Sequence, residues 1–191
     1  MKRLILASAS PLRKQILDML GLKFTVSPSQ IEERLTPGLQ PKEQVEILSR
    51  KKAEAVALTF HNAIILAADT MVVVGDEVFG KPKDEKDAKR MLKKFSGGNH
   101  SILTAFTVLD TDTGKQITKS TETKIWFRKL TDKEITTFVK KEMPFDKAGG
   151  YAIHELAAIF IEKIEGDYMG AIGLSVFQLV NELKNFKIEV L

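Results

Sequence analysis

The chain contains no cysteine among its 191 residues. This absence excludes a disulfide framework and a thiolate zinc site, and it fits a reducing compartment. No apolar run reaches the roughly 18–20 residues that span a bilayer, and no signal-peptide pattern precedes the first strand-like segment. We therefore expect a cytoplasmic protein that does not interact with a membrane.

A strong excess of one charge is also missing. The 29 lysines and arginines face 25 acidic residues, which leaves a net charge of +4. A basic excess can favour polyanions such as nucleic acid. Here the basic residues are spread along the chain and interleaved with acids, so an ordinary solvated surface is the preferred interpretation. A nucleic-acid binder remains the least favoured class of function.

Repeats, low-complexity segments and long linkers are absent as well, so residues 1–191 form either one medium globular domain or two small lobes that share a cleft. The predicted strands are Arg3–Ala7, Lys23–Val26, Ile64–Val74, Glu77–Gly80, Ile102–Leu109, Thr118–Phe127, Ile153–Ile164 and Ile188–Leu191. The predicted helices are Arg13–Leu20, Pro41 to about Phe60, Asp84–Phe95, one that begins near Thr131, and Leu174–Leu183. This mixture of βα units and hairpins predicts an α/β fold with a mixed central sheet and flanking helices.

The loop after the first predicted strand has the composition of an anion site. Ser8 and Ser10 precede Pro11, which suits the first position of a helix. Backbone N–H groups and the positive end of a helix dipole would face a bound phosphate there. Arg13 lies in the same first turn, where the dipole disfavours a cation unless an anion is bound. The alternative is that Ser10 is only a cap and Arg13 only a surface residue.

Two charged residues interrupt segments that otherwise favour burial. Asp69 stands inside the apolar run Ile64–Val74, so it lies either at an exposed strand end or beside a cation or metal. Lys52 shares a helical stripe with Leu48 and Val56, so it either extends to the edge of the core or reaches into a cleft.

Loop residues complete the set of candidates. Glu32 and Glu33 are either solvated or, with Asp69, supply oxygen ligands to Mg²⁺. Lys81 follows a predicted hairpin and precedes a proline that stiffens its backbone. Cations, a metal and a carboxylate that positions water are what phosphoryl transfer requires, so the combination favours a phosphate substrate.

Several segments, in order along nearly the whole chain, resemble the Maf family of nucleoside triphosphate pyrophosphatases. The first of them is similar to the family's opening motif, small-Ser-x-Ser-Pro-Arg-Arg. The segments are Leu6–Arg13, Ile31–Glu33, Lys52–Ala53, Ala67–Val72, Gly80–Pro82, Phe145–Tyr151, Ile164–Tyr168 and Ile172–Leu174. The resemblance implies two α/β lobes around a cleft, a fold related to the inosine triphosphatase group, and a homodimer.

The resemblance also implies roles for individual residues. Asp69 would accept a proton from the attacking water, and Glu33 would join it in holding a divalent cation, Mg²⁺, Mn²⁺ or Co²⁺. The residues that would bind the triphosphate are Ser8, Arg13, Lys52 and Lys81. Thr70 and His154 would lie near the base and influence its selection.

The segment Asp146–Tyr151 is typical of the family branch that acts on dTTP and UTP, and we expect hydrolysis to the monophosphate and diphosphate as nucleotide-pool house-cleaning. Two positions depart from the pattern. Leu12 stands where the family has its first arginine, and His154 stands where this branch has glutamine. Another modified or purine nucleotide, and a non-catalytic nucleotide-binding regulator of division, are therefore the alternatives.

Overall fold

A computed structural model describes residues 2–191 and contains a seven-stranded mixed sheet. The strands are β1 (Arg3–Leu6), β2 (Phe24–Val26), β3 (Ala63–Val74), β4 (Glu77–Phe79), β5 (Asn99–Asp110), β6 (Gln116–Phe127) and β7 (Ile161–Gly166). Their order is β2-β1-β3-β5-β6-β7, and β4 pairs with β3. Strand β1 is parallel to β2 and β3, whereas the β3/β4 and β6/β7 pairs are antiparallel. The predicted mixed α/β sheet is confirmed.

Six α-helices accompany the sheet within residues 2–191. They are α1 (Pro11–Met19), α2 (Pro41–Ala57), α3 (Glu85–Phe95), α4 (Asp132–Glu142), α5 (Tyr168–Ile172) and α6 (Val176–Leu183). Short 3₁₀ turns cover Ala148–Gly150, Leu156–Phe160 and Lys184–Phe186. No helix in the described part of the chain has the length and apolar character needed to cross a membrane.

Local sequence signals set where three of the helices begin. The side chain of Ser10 caps α1, with Pro11 as the first helical residue. Asp84 caps α3 by accepting a bond from the backbone of Asp87. Thr131 and Glu134 form the reciprocal bonds of a capping box at α4. These predicted helix starts are correct to within a residue or two.

The chain divides into two compact units. The first unit comprises residues 1–69, 104–121 and 173–191. One of its apolar clusters contains Ile5 on β1, Ala53 on α2 and Ile65 on β3. The second unit comprises residues 70–103 and 122–172. Its core is rich in aromatic side chains, among them Phe95 and Phe127.

Two predicted strands differ from the structure. The first half of the predicted strand Ile153–Ile164 is wrong, because Leu156–Phe160 is a 3₁₀ turn and only the later residues enter β7. Buried side chains recur there at Ile153, Ala157 and Phe160, a helical rather than an alternating spacing.

The predicted strand Ile188–Leu191 is also wrong, since these residues adopt no regular structure. Lys187 has a left-handed backbone with a φ of 59°. The N–H of Ile188 turns back to the carbonyl of Leu183. The segment therefore closes the end of α6 instead of pairing with a strand.

Candidate active site

Asp69 is an acidic residue inside a buried strand. It lies within β3, where the preceding residues 63–68 are all fully buried, and its own exposed fraction is 5%. Its Oδ1 accepts a bond of 2.5 Å from Nζ of Lys52. The option that Asp69 lies at an exposed strand end is wrong, and its charge is matched by a cation as burial requires.

Lys52 reaches Asp69 from the inward stripe of α2. Val45, Leu48 and Val56 on the same stripe are all buried, and Lys52 is only 8% exposed. Its Nζ also lies 2.7 Å from Oε1 of Glu33, in the loop between β2 and α2. Lys52 therefore does not extend to the edge of the core; its ammonium bridges two carboxylates.

The side chain of Arg13 connects the first loop to a distant segment of the same unit. Its Nη1 donates to Oγ of Ser8 at 3.1 Å, and its Nε donates to the carbonyl of Gly173 at 2.9 Å. Arg13 is 9% exposed, so the surface interpretation of this residue is wrong. Ser10 is the cap of α1, as expected. Two N–H groups of the loop, those of Ser10 and Arg13, bond to the serine hydroxyls of the loop itself.

Gly173 is a contributor that sequence reasoning missed. Its sequence position marks it only as part of the segment Ile172–Leu174. Its φ of 126° lies in a region that side chains disfavour, and its buried carbonyl fixes the Arg13 guanidinium. No local pattern identifies this role, because the side chain that its carbonyl binds is 160 positions away.

Burial shifts the pKa of two members of this cluster, Asp69 and Arg13. It raises the pKa of Asp69 above the usual value, although Lys52 and Arg13 act in the opposite direction. Burial likewise lowers the pKa of Arg13, with Asp69 and Glu33 opposing. A carboxylate with a raised pKa takes up a proton more readily than a solvated one, which is the property of a general base.

A chain of buried hydroxyls lies one helical turn before Lys52. Ser49 donates to the carbonyl of Glu46, so Thr107 on β5 must donate to Ser49 and Thr118 on β6 must donate to Thr107. Each of these contacts is 2.9 Å long. The chain ties α2 to two strands beside the position of Lys52. Sequence reasoning missed it, because serine and threonine look alike in a pattern whether they are paired or solvated.

Glu33 and Asp69 are the residues that could hold a metal ion. Within residues 2–191 no group of three or more His, Cys, Asp and Glu side chains converges. The two carboxylates already share one cation, the Lys52 ammonium, so their oxygens can face a common positive charge. One or two carboxylates, completed by substrate phosphates, is how Mg²⁺ is commonly bound. The donor set therefore fits a hard divalent cation that arrives with a phosphate ligand.

Comparison with known proteins assigns this chain to a family. Residues 3–186 match the family described as Maf-like protein. The chain belongs to the Maf-like family. A protein called dTTP/UTP pyrophosphatase from Desulforamulus reducens is 40% identical over 190 residues, which cover 100% of both chains.

Two further Maf-like relatives carry the same name. The protein from Citrifermentans bemidjiense is 41% identical over 181 residues, 95% of this chain and 94% of its own. The protein from Methanosarcina mazei is 42% identical over 191 residues, 100% of this chain and 97% of its own. The similarity therefore extends through every segment that carries a candidate residue.

The remaining predicted site residues of this Maf-like chain belong to different units and differ in exposure. Leu12, half-buried in the first turn of α1, belongs to the first unit. Thr70, Lys81 and His154 belong to the second unit. Thr70 is half-buried on β3, and Lys81 is exposed just after β4. The side chain of His154 is 26% exposed, and its Nε2 lies 3.9 Å from Oε1 of Glu155.

The Maf-like segment Phe145–Tyr151 ends in a buried aromatic cluster of the second unit. Tyr151 contacts Nε2 of His100 through its hydroxyl at 2.5 Å. Burial lowers the pKa of His100 to about 3, so this histidine is neutral. Gly149 has a φ of 72°, and a Cβ there would lie 3.1 Å from Val72. Gly149 and Tyr151 of this segment therefore contribute to the packing of the second unit.

Proposed function

We propose that this chain hydrolyses dTTP and UTP to the nucleoside monophosphate and diphosphate. Similarity along nearly the whole chain, at 40–41% identity, to proteins called dTTP/UTP pyrophosphatase supports the reaction and its substrates. The observation that carries the proposal is the buried ion pair between Lys52 and Asp69, joined by Glu33. Buried charges of this kind are costly in an apolar strand, so a reaction that uses them accounts for their presence.

Asp69 acts as the general base. Its carboxylate takes a proton from water as the water oxygen bonds to the α-phosphorus. The bond from that phosphorus to the α–β bridging oxygen then breaks, and diphosphate leaves with the bonding electrons. Burial raises the pKa of Asp69 towards neutral pH. A general base is most effective when its pKa lies near the pH at which the enzyme works.

The cations of the first unit stabilise charge on the phosphates. Lys52 offers an ammonium that bridges Glu33 and Asp69, and Arg13 is held between Ser8 and Gly173. A guanidinium fixed in this way costs little reorganisation when phosphate binds. The hydroxyl of Ser8 donates a hydrogen bond to the same phosphate. Glu33 and Asp69 would hold the divalent cation, Mg²⁺, Mn²⁺ or Co²⁺. When bound, this ion would neutralise phosphate charge and orient the reacting groups.

Residues of the remaining motifs provide phosphate binding and base selection. Lys81 binds the triphosphate, and Thr70 and His154 contact the pyrimidine. A neutral histidine offers one donor and one acceptor, which are the group types that uracil and thymine require. Leu12 removes one cation relative to the family pattern, and we expect it to lower the rate or alter the accepted base. These roles rest on motif positions.

A panel of triphosphates tests the assignment. The enzyme is incubated with dTTP, UTP, the other common nucleotides and modified ones, in Mg²⁺, Mn²⁺ or Co²⁺, and released diphosphate is measured. We expect dTTP and UTP to have the highest kcat/KM, and Leu12→Arg to shift the ranking or raise the rate. Calorimetric binding of these nucleotides with no turnover in any metal would instead identify a nucleotide sensor.

We also propose that the protein is a cytoplasmic homodimer. The absence of cysteine fits a reducing compartment, and the family resemblance supports self-association. Sedimentation velocity at micromolar concentration distinguishes a dimer from a monomer, and a single monomeric species at every concentration would contradict the proposal.

A further inference from the structure

The Lys52 ammonium lies between the two carboxylates that could hold a metal ion in this cluster. It lies 2.7 Å from Oε1 of Glu33 and 2.5 Å from Oδ1 of Asp69, and these are the two carboxylates available to a cation in this cluster. The Glu33 contact has the length of a charge-assisted hydrogen bond, and the Asp69 contact is shorter still. Any dication that uses the same oxygen atoms must displace Lys52 from them.

Charge balance leads to the same conclusion independently. Glu33 and Asp69 face two cations, Lys52 and Arg13, so the cluster is neutral without a metal. Arg13, Lys52 and Asp69 are buried, so adding a dication beside them would leave an excess positive charge in a poorly solvated place. A triphosphate carries enough negative charge to balance both the dication and the displaced ammonium.

We infer that Lys52 is an internal counter-cation that competes with the divalent metal for Glu33 and Asp69. The metal therefore binds weakly to the free protein and enters together with the nucleotide, whose phosphates then receive the displaced ammonium. The inference rests on the proposed function for its choice of ligand, and it adds an order of binding.

The neighbouring residue offers a matched control. Lys51 precedes Lys52 on α2 and is exposed, so Lys51→Gln removes the same charge without touching the cluster. Mn²⁺ binding to the nucleotide-free protein is measured by electron paramagnetic resonance of the free ion. We expect Lys52→Gln to tighten Mn²⁺ binding by about tenfold or more, because a cation this close to the ligands opposes the metal strongly.

Lys51→Gln should leave Mn²⁺ affinity within about twofold of the wild type, since exposed charges are screened. Equal or weaker Mn²⁺ binding by Lys52→Gln than by Lys51→Gln would overturn the inference. Circular dichroism of each variant verifies that it is folded.

A measurement on the unmodified chain covers the case in which Lys52→Gln does not fold. Mg²⁺ is titrated into protein labelled with ¹³C at the lysine ε-carbon, with and without a non-hydrolysable triphosphate. The signal of the buried lysine should move at much lower Mg²⁺ concentration when the nucleotide is present. A shift at the same Mg²⁺ concentration in both titrations would refute competition.

These outcomes separate the two proposals. If Lys52 competes with the metal but no triphosphate is hydrolysed, the role of Lys52 stands and the hydrolase assignment is refuted. If a triphosphate is hydrolysed but Lys52 does not compete with the metal, the hydrolase assignment stands and the role of Lys52 is refuted.

Discussion

Replacing Asp69 by asparagine changes a charge while nearly preserving shape, and it tests two consequences of the buried position of this residue. The first concerns rate. A positioned general base contributes about 10²- to 10⁴-fold, so turnover of the best triphosphate should fall by that factor. An amide oxygen can still accept from Lys52, so the variant should remain folded.

The second consequence concerns stability, and its sign follows from the direction of the pKa shift. Burial raises the pKa of Asp69 above 3.8, so the folded protein holds this proton more tightly than the unfolded chain does. The free energy of unfolding therefore falls as pH rises from 3.8 to the raised pKa, with a slope of at most about 1.4 kcal/mol per pH unit. Asparagine has no such proton, so the variant lacks this decrease.

At neutral pH the variant should be as stable as the wild type or more stable, by on the order of 1 kcal/mol. Lys52 still has Glu33 at 2.7 Å, so its ammonium is not left without a partner. Urea denaturation followed by circular dichroism, at a series of pH values, measures the difference. Turnover within a factor of about ten of the wild type would refute the assignment of the base. Parallel stability curves above pH 3.8 would refute the account of its burial.

Asp87→Asn is a control with the opposite sign. A backbone N–H from Lys83, with help from Arg90, lowers the pKa of Asp87 below 3.8. Its stabilising contribution is complete above that value and is lost as pH falls towards the lowered pKa. The two variants should therefore diverge from the wild type in different pH ranges.

Two further predictions concern packing and are measured by urea denaturation at neutral pH. Gly166→Ala should cost about 2–4 kcal/mol, because its φ is 120° and an added Cβ would lie 2.7 Å from the carbonyl oxygen of Glu122. Gly38→Ala, at a φ of 82° with open space around it, should cost only about 1 kcal/mol, and equal losses would show that the close approach is unimportant. Thr107→Val should cost about 1–3 kcal/mol by breaking the hydroxyl chain to Ser49, whereas Thr107→Ser should retain most of the stability. A Thr107→Val variant as stable as the wild type would contradict this role, because valine keeps the methyl group and lacks only the hydroxyl.

Helix starts were predictable because their signals are local. A cap is completed within three or four residues, so Ser10 with Pro11, and Thr131 with Glu134, could be read directly. The structure of the apolar stretch Ile153–Ile164 was not predictable in this way. A short apolar run is compatible with a strand or a helical turn until its packing partners are known. The aromatic core of the second unit favours the turn, which places Ala157 and Phe160 inward.

In the candidate site, too, some features were visible in the sequence and others depended on the tertiary structure. The sequence by itself identified Asp69 and Lys52 as misfits, since a charge in an apolar pattern is visible without coordinates. It left open whether each was solvated, because a side chain's surroundings come from distant parts of the chain. Only the tertiary structure decided that Lys52 meets Asp69 and Glu33, and that Arg13 is held by a carbonyl 160 positions away. Burial, which raises the pKa of Asp69 and lowers that of Arg13, arises only when those segments pack together.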